Sequence, residues 1–136
     1  MREAGGPRRV VLAPAARRDI REALAWSQER FGERAAGRYR DLLKQALRDI
    51  ASNPERPGSR GRPELARGVR THHLFFSRDR VLAGLGVVRK PRHFLVYRRR
   101  GEGAIDVIRV LHDARDLERH LRMVICGVRI PTSCRF

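Results

Sequence analysis

Two neighbouring segments in the C-terminal third of the chain constrain its fold most. Residues 92–99 and 104–111 both carry the period-2 signal of β-strands. A short turn that contains Gly101 and Gly103 joins them. Strands with so short a connection pair antiparallel, so the sequence predicts a β-hairpin that ends in a cluster of charged residues at 112–116.

Two amphipathic helices are predicted in the N-terminal half. From Ala15 the apolar period changes to about 3.6, and Phe31 is followed by Gly32, which supplies the left-handed residue that ends a helix. A second helix starts near Glu33 and stops before Pro54. Its apolar stripe consists of Ala35, Ala36, Tyr39, Leu42, Leu43, Ala46, Leu47 and Ile50. The short link predicts an antiparallel helical hairpin.

The remaining segments complete a predicted β-α-α-β-β-β-α order. Residues 9–13 form a short apolar strand that can pair in either sense, and residues 68–77 form another strand. Residues 53–67 are rich in proline and glycine and predict an exposed basic loop. Residues 78–91 either extend the hairpin or form a mobile flap. Asp113 can cap a short last helix over 114–122.

This order predicts an α+β fold, in which the helical hairpin packs on a small, mainly antiparallel sheet. Residues 9–122 form one domain, and residues 1–8 are expected to be a disordered lead-in. The tail over 123–136 is more apolar than an ordinary disordered end. It either adds an edge strand, binds a partner, or is a frayed appendix.

The net charge of +16 is the main compositional clue to function. Of the 31 basic residues, only Lys44 and Lys90 are not arginine. Such a positive field implies an acidic partner, either nucleic acid or an acidic protein. The alternative is that the arginine content reflects only the base composition of the genome.

Cysteine usage and hydropathy predict a soluble cytoplasmic protein without a membrane partner. Cys126 and Cys134 fit no metal or redox motif, and the body of the domain lacks cysteine. The sequence shows no apolar run of about 20 residues and no signal peptide at its start. The scattered histidines do not predict a zinc site, and no cofactor is expected.

Three landmarks resemble the ParE/RelE superfamily of toxins from type II toxin–antitoxin systems. They are Ala-x-x-Asp-Ile at residues 16–20, Gly-Val-Arg at 68–70, and the Arg-Val-Leu-His-x-x-Arg-Asp ending at 109–116. The ending is most similar to the ParE branch, and the resemblance covers roughly residues 9–121. The chain departs from the usual pattern at 78–91 and after Leu121.

The resemblance implies one of two targets. ParE-like toxins poison DNA gyrase and need no catalytic site of their own, whereas RelE-like toxins cut messenger RNA on the ribosome. The absence of lysine from the strands favours the ParE-like function, because RelE-like nucleases often carry lysine there. Either function implies a cognate antitoxin, ParD-like or similar, with an acidic segment, and this antitoxin can also link the toxin to operator DNA.

If the chain is a nuclease, the catalytic candidates are His112, Arg70 and Arg109. His112 ends the last strand, and the unperturbed pKa of a histidine, about 6.5, suits acid–base chemistry. It can instead anchor the last turn to Asp113 or Asp116. The two arginines can hold phosphate, or they can form ion pairs on the sheet, with Asp106 as the partner of Arg109.

A second set of candidates concerns partner binding. We expect antitoxin contacts along the helical hairpin and the open sheet edge. The candidates are Trp26, Arg70, Arg98, Arg109, His112 and Arg115. Trp26 can mark an interface or be a half-buried packing residue. Tyr97 has apolar neighbours and is predicted to be a core residue rather than a catalytic one.

Overall fold

The structure is a computed structural model that describes residues 7–81 and 87–113. In the described part of the chain, strands and helices follow the order that the sequence predicts, with one additional short strand and a 3-10 helix. The elements are β1 (Arg9–Leu12), α1 (Pro14–Phe31), α2 (Glu33–Ser52), β2 (Ser59–Gly61), β3 (Val69–His73), a 3-10 helix (Leu74–Arg80), β4 (His93–Arg100) and β5 (Ala104–His112). The α+β prediction is confirmed.

The five strands form one sheet in the order β1-β5-β4-β3-β2. β4 and β5 form the predicted antiparallel hairpin, whose register runs from His93 opposite His112 to Arg100 opposite Ala104. β1 pairs with β5 in the parallel sense, which the sequence left open. The sheet is therefore mixed, with its long hairpin near the centre and short strands at both edges.

The helical hairpin covers one face of this sheet. Gly32 separates α1 from α2 with a φ of 95°, positive as predicted, and its N–H donates to the carbonyl of Gln28. The α2 stripe is buried against Leu95 and Tyr97 of β4. The other face of the sheet carries a second cluster, in which Leu65 and Ala66 cover the strands. Alternating side chains of β4 thus serve two cores.

Two predictions about local structure were wrong. Residues 59–61 were predicted to be loop but form β2, an edge strand that pairs with β3. A three-residue edge strand among prolines is too short to give a periodic signal. The strand predicted over 68–77 ends at His73, and the chain turns into the 3-10 helix. There the His73 side chain accepts the N–H of Phe75, and Ser77 bonds to Asp49 of α2.

Several predictions lie outside the described residues. These are the helix over 114–122, the tail over 123–136 and most of the lead-in over 1–8. Of residues 78–91, the first three complete the 3-10 helix, and 82–86 are also outside the described ranges. Within those ranges, neither long helix is apolar enough to cross a membrane.

Candidate functional site

A groove of about 980 Å³ lies between the end of α1, the first turns of α2 and the segment that precedes β4. One part of its wall is built from side-chain rings. The Trp26 ring makes edge-on contacts with four other rings, at centroid distances of 5.8–6.4 Å, and these rings belong to Phe31, Tyr39, His93 and His112. Trp26 is half-buried, whereas Phe31 is 64% exposed. The groove therefore offers apolar ring surface to a partner.

Positive charge surrounds this aromatic surface. The basic residues of the groove are Arg30, Arg38, Arg89, Lys90 and Arg92. Among the described residues that line it, none is acidic. The Arg30 guanidinium lies 5.9 Å from the Trp26 ring centroid, close enough for a cation–π interaction. The groove thus combines apolar anchoring surface with attraction for carboxylates.

A hydrogen-bond chain fixes the inner wall of the groove. The Arg92 N–H donates to the Tyr39 hydroxyl at 2.9 Å, and this hydroxyl lies 2.7 Å from His93 Nδ1. Burial raises the pKa of Tyr39, so its hydroxyl keeps its proton and can donate it to His93. The His93 ring then packs 5.1 Å from the His112 ring. The buried imidazole of His93 therefore supports the wall of the groove from behind and is not itself part of the groove lining.

The first and third sequence landmarks meet at Asp19. Its carboxylate accepts two hydrogen bonds from the Arg109 guanidinium, at 2.6 and 2.9 Å, and a third from the Val110 N–H at 2.9 Å. β1 ends at Leu12, opposite Val107. Further along β5, the backbone N–H of Val110 is therefore bound by the Asp19 side chain and not by a neighbouring strand. The landmarks are one structural unit that joins α1 to β5.

The predicted pairing of Arg109 with Asp106 is wrong. Asp106 instead binds Arg100 at 2.7 Å, across the β4–β5 hairpin. Arg100 lies diagonally across the hairpin from Asp106, near the turn, whereas Arg109 lies further along β5, where the helix α1 approaches. Sequence spacing could not reveal a carboxylate 90 residues away.

His112 lies beside Arg109, as the nuclease hypothesis requires. Both line a smaller cavity of about 190 Å³, together with Asp19 and His93. The His112 side chain is 11% exposed, and its Nδ1 lies 4.0 Å from Asp113 Oδ1. His112 is thus placed at the junction of this cavity and the groove, with its ring packed against Trp26.

Arg70 and Arg98 lie elsewhere. They line a separate pocket of about 490 Å³ near β2. The Arg70 guanidinium donates to Ser59, to its hydroxyl at 2.8 Å and to its carbonyl at 3.3 Å. The structure therefore brings His112 and Arg109 together but not Arg70. Arg115 lies outside the described residues.

Tyr97 is fully buried, as predicted. Its hydroxyl donates to the Pro54 carbonyl and lies 2.6 Å from the Ser59 hydroxyl. Burial raises its pKa above the ordinary value. The side chain ties β4 to the loop before β2, which is a structural role.

A buried His–Ser–Asp cluster was not predicted from the sequence. Ser77 donates to Asp49 at 2.6 Å, and His72 Nε2 lies 2.9 Å from the Ser77 hydroxyl. Because the Ser77 proton is used by Asp49, His72 must donate to Ser77, which is the reverse of nucleophile activation. Burial, aided by the charge of Arg56, lowers the pKa of His72 to about 4. The cluster ties α2 to the 3-10 helix and β3.

Other residues of the groove were also missed as partner candidates. Phe31 was interpreted only as a helix end and Tyr39 only as core, and the basic residues were interpreted only through net charge. The available signal in the sequence was a phenylalanine directly before the glycine that ends the helix. The structure shows that this Phe31 is exposed. In the described ranges, no three His, Cys, Asp or Glu side chains come together as a metal site.

Comparisons with known proteins agree with this architecture. A family model described as "ParE toxin of type II toxin-antitoxin system, parDE" matches residues 10–117. Toxin ParE1 of Mycobacterium tuberculosis, from strains CDC 1551 / Oshkosh and H37Rv, is 35% identical over 113 residues. The match covers 83% of this chain and 97% of the relative. The chain therefore belongs to the ParE toxin family of type II toxin–antitoxin systems.

Proposed function

We propose that this chain is a toxin that inhibits DNA gyrase in the cytoplasm, and that its cognate antitoxin neutralises it by occupying the aromatic groove. Membership of the ParE family supports gyrase as the target. The groove, with its cationic rim and ring-lined wall, is the observation that supports the site of neutralisation.

The groove suits an acidic, amphipathic antitoxin segment. An apolar side chain of such a segment would lie against Trp26 and Phe31, where it would remove exposed ring surface from water. Carboxylates on either side would meet Arg30 on one rim and Lys90 on the other. The +16 net charge would also steer an acidic segment toward the toxin before contact.

Three features support gyrase inhibition over messenger RNA cleavage. Arg70 does not line the cavity that holds His112 and Arg109. The Arg109 guanidinium is engaged by Asp19 through two short hydrogen bonds. The His112 side chain is only 11% exposed and packs against the rings of Trp26 and His93. A phosphoryl-transfer site needs its base, acid and cations to converge on one phosphate, and these three residues do not.

The deciding experiment combines two readouts. Purified full-length toxin is added to DNA gyrase with supercoiled plasmid, and cleaved DNA is measured with and without the antitoxin. In parallel, the toxin is induced in cells, and DNA breakage is compared with protein synthesis. We expect DNA damage while early protein synthesis continues, and relief by the antitoxin.

Prompt arrest of translation with cleaved messages and intact DNA would contradict the proposal and favour the ribosome-dependent nuclease. An antitoxin that binds without covering the groove would contradict the neutralisation site alone. Fluorescence quenching of Trp26 in the complex tests whether the antitoxin covers the groove, because Trp26 is the only tryptophan of the toxin. We also expect the toxin–antitoxin complex to bind operator DNA through the antitoxin.

A further inference from the structure

We propose a second binding surface, in which the exposed pair Phe75–Phe76 and the cations on both sides of it bind single-stranded nucleic acid. This surface lies on the 3-10 helix, and its existence does not depend on gyrase inhibition. Phe75 is 43% exposed and Phe76 is 49% exposed. Adjacent phenylalanines with this much ring surface in water are unusual in a small domain and mark a contact site.

The aromatic pair is held in place from both ends. The Phe75 N–H donates to the His73 imidazole at 3.0 Å, which caps the start of the 3-10 helix. Two residues beyond Phe75, Ser77 is buried and donates to Asp49 at 2.6 Å. The two rings meet edge to face at a centroid distance of 5.4 Å. The rings are thus preorganised, and binding would cost little conformational entropy.

Positive charge lies on both sides of the rings. The pocket beside Phe75 has a volume of about 480 Å³ and is lined by four cations, which are Arg78, Arg89, Lys90 and Arg92. The last three also line the aromatic groove, so the two surfaces adjoin and share these cations. The Arg78 guanidinium lies 4.1 Å from the Phe75 ring centroid. The pocket beside Phe76, also about 480 Å³, contains Arg60 and Arg62.

Carboxylates do little to offset this charge. Among the described residues, Asp113 is the one carboxylate that lines the two pockets. It is already bound by His73 at 2.9 Å and by Arg92 at 3.2 Å. The surface therefore presents guanidinium groups, which suit phosphate, on both sides of two partly exposed rings, and Arg78 already lies against one face of the Phe75 ring.

These features fit single strands better than the other acidic ligands. Bases of a single strand expose their faces and stack on aromatic side chains, while the phosphates follow a basic groove. A duplex hides its base faces, so the rings would contribute nothing to binding it. An acidic peptide would use the cations, but its carboxylates would gain nothing from the electronegative face of a phenylalanine ring.

The test is fluorescence anisotropy with purified full-length protein and a labelled single-stranded oligothymidylate, compared with a hairpin duplex of equal charge. Phe75→Ala should weaken binding of the single strand roughly 5- to 150-fold, which is the loss of one stacked base. Phe75→Tyr keeps the ring and should bind as the wild type does. Phe31→Ala is the matched control, because Phe31 is more exposed but lies on the aromatic groove.

The salt dependence tests the cations separately. Arg60→Gln should reduce the slope of log affinity against log salt by roughly 0.7, whereas Arg18→Gln on the exposed side of α1 should leave it unchanged. The proposal is overturned if Phe75→Ala binds like the wild type. It is also overturned if the duplex or poly-glutamate binds the wild-type protein as tightly as the single strand does, and Phe75→Ala weakens that binding by the same factor. Gyrase inhibition and antitoxin binding are not readouts here, so a failure of the proposed function leaves this result intact.

Discussion

Two histidine clusters link strands of the sheet to α2 by similar hydrogen bonds, but they serve different purposes. In one, the Ser77 hydroxyl lies 2.9 Å from His72, and in the other the Tyr39 hydroxyl lies 2.7 Å from His93. The first is closed, because Asp49 and the surrounding core exclude water. The second continues through His112 to an open groove. The access of solvent to the cluster, rather than the types of residue in it, distinguishes a structural cluster from a candidate binding site.

The largest loss of stability should come from removing the carboxylate at the centre of the closed cluster. Asp49→Ala removes the acceptor of Ser77, Gln45 and Arg80, and it leaves the half-buried Arg56 without its carboxylate. We expect the free energy of unfolding to fall by about 3–5 kcal/mol, measured by urea denaturation. Asp41→Asn, on the same helix, is the control and should change it by less than about 0.5 kcal/mol. A small loss in the Asp49 variant would mean that the cluster is not closed.

Acid should weaken the closed cluster next. The pKa of His72 is lowered to about 4 in the folded state, against about 6.5 when unfolded. The unfolded chain therefore binds more protons between these values, and stability falls as the pH drops from about 6.5 to about 4, by at most about 3 kcal/mol. Urea denaturation across this range should show the loss in the wild type and less of it in His72→Gln. Parallel pH profiles of the two proteins would contradict the assignment.

Asp49 adds to the acid sensitivity at lower pH. Burial alone would raise its pKa, but hydrogen bonds from Ser77, Gln45 and Arg80 outweigh burial and lower the pKa. A carboxylate with a lowered pKa stabilises the fold above its ordinary value, and this stabilisation is lost as the pH falls further. The two losses therefore run in the same direction.

Truncation of the open cluster should affect binding rather than folding. Trp26→Ala removes the ring that contacts four others, and we expect the antitoxin affinity to fall by about 2 kcal/mol, or roughly 30-fold. Isothermal titration calorimetry with the cognate antitoxin checks this. Phe75→Ala, outside the groove, should keep the wild-type affinity. Equal losses in the two variants would show that the groove is not the docking site.

The smallest effect is expected at His112. His112→Phe keeps a ring against Trp26 and His93 but removes the group that could transfer a proton. If the toxin inhibits gyrase, DNA cleavage in the gyrase assay should change by less than about twofold, which corresponds to about 0.4 kcal/mol. Complete loss of toxicity in a folded variant would instead make His112 catalytic.

Periodicity was sufficient to predict the central architecture. The α1–α2 hairpin was predicted because α2 buries one regular stripe, from Tyr39 to Ile50. The β4–β5 hairpin was predicted because two period-2 segments flank a short turn. β2 was missed, since three residues at a sheet edge carry no period. Residues 74–77 were assigned to a strand because nothing local shows that Ser77 would bond to a carboxylate on α2.

The candidate site was predicted less completely than the fold. Trp26 and His112 were named, but their contact depends on how α1 lies against the end of β5. Arg70 and Arg109 were grouped by chemistry, whereas the register places them in different pockets. The carboxylate partner of Arg109 was wrong because the true partner comes from the other end of the chain. The pattern of a single sequence does not show which residues far apart in the chain will pair with each other.

The contacts of β1 and α1 with β5 determine when the chain can finish folding during its synthesis. The Asp19–Arg109 pair spans 90 residues, and the parallel β1–β5 ladder adjoins it. A ribosome must therefore release nearly the whole described domain before the sheet can close. Contacts of this separation slow folding, since a long loop must be ordered first. The nascent chain stays incomplete until its last strand emerges, which leaves a window in which an antitoxin already present can meet the toxin as it folds.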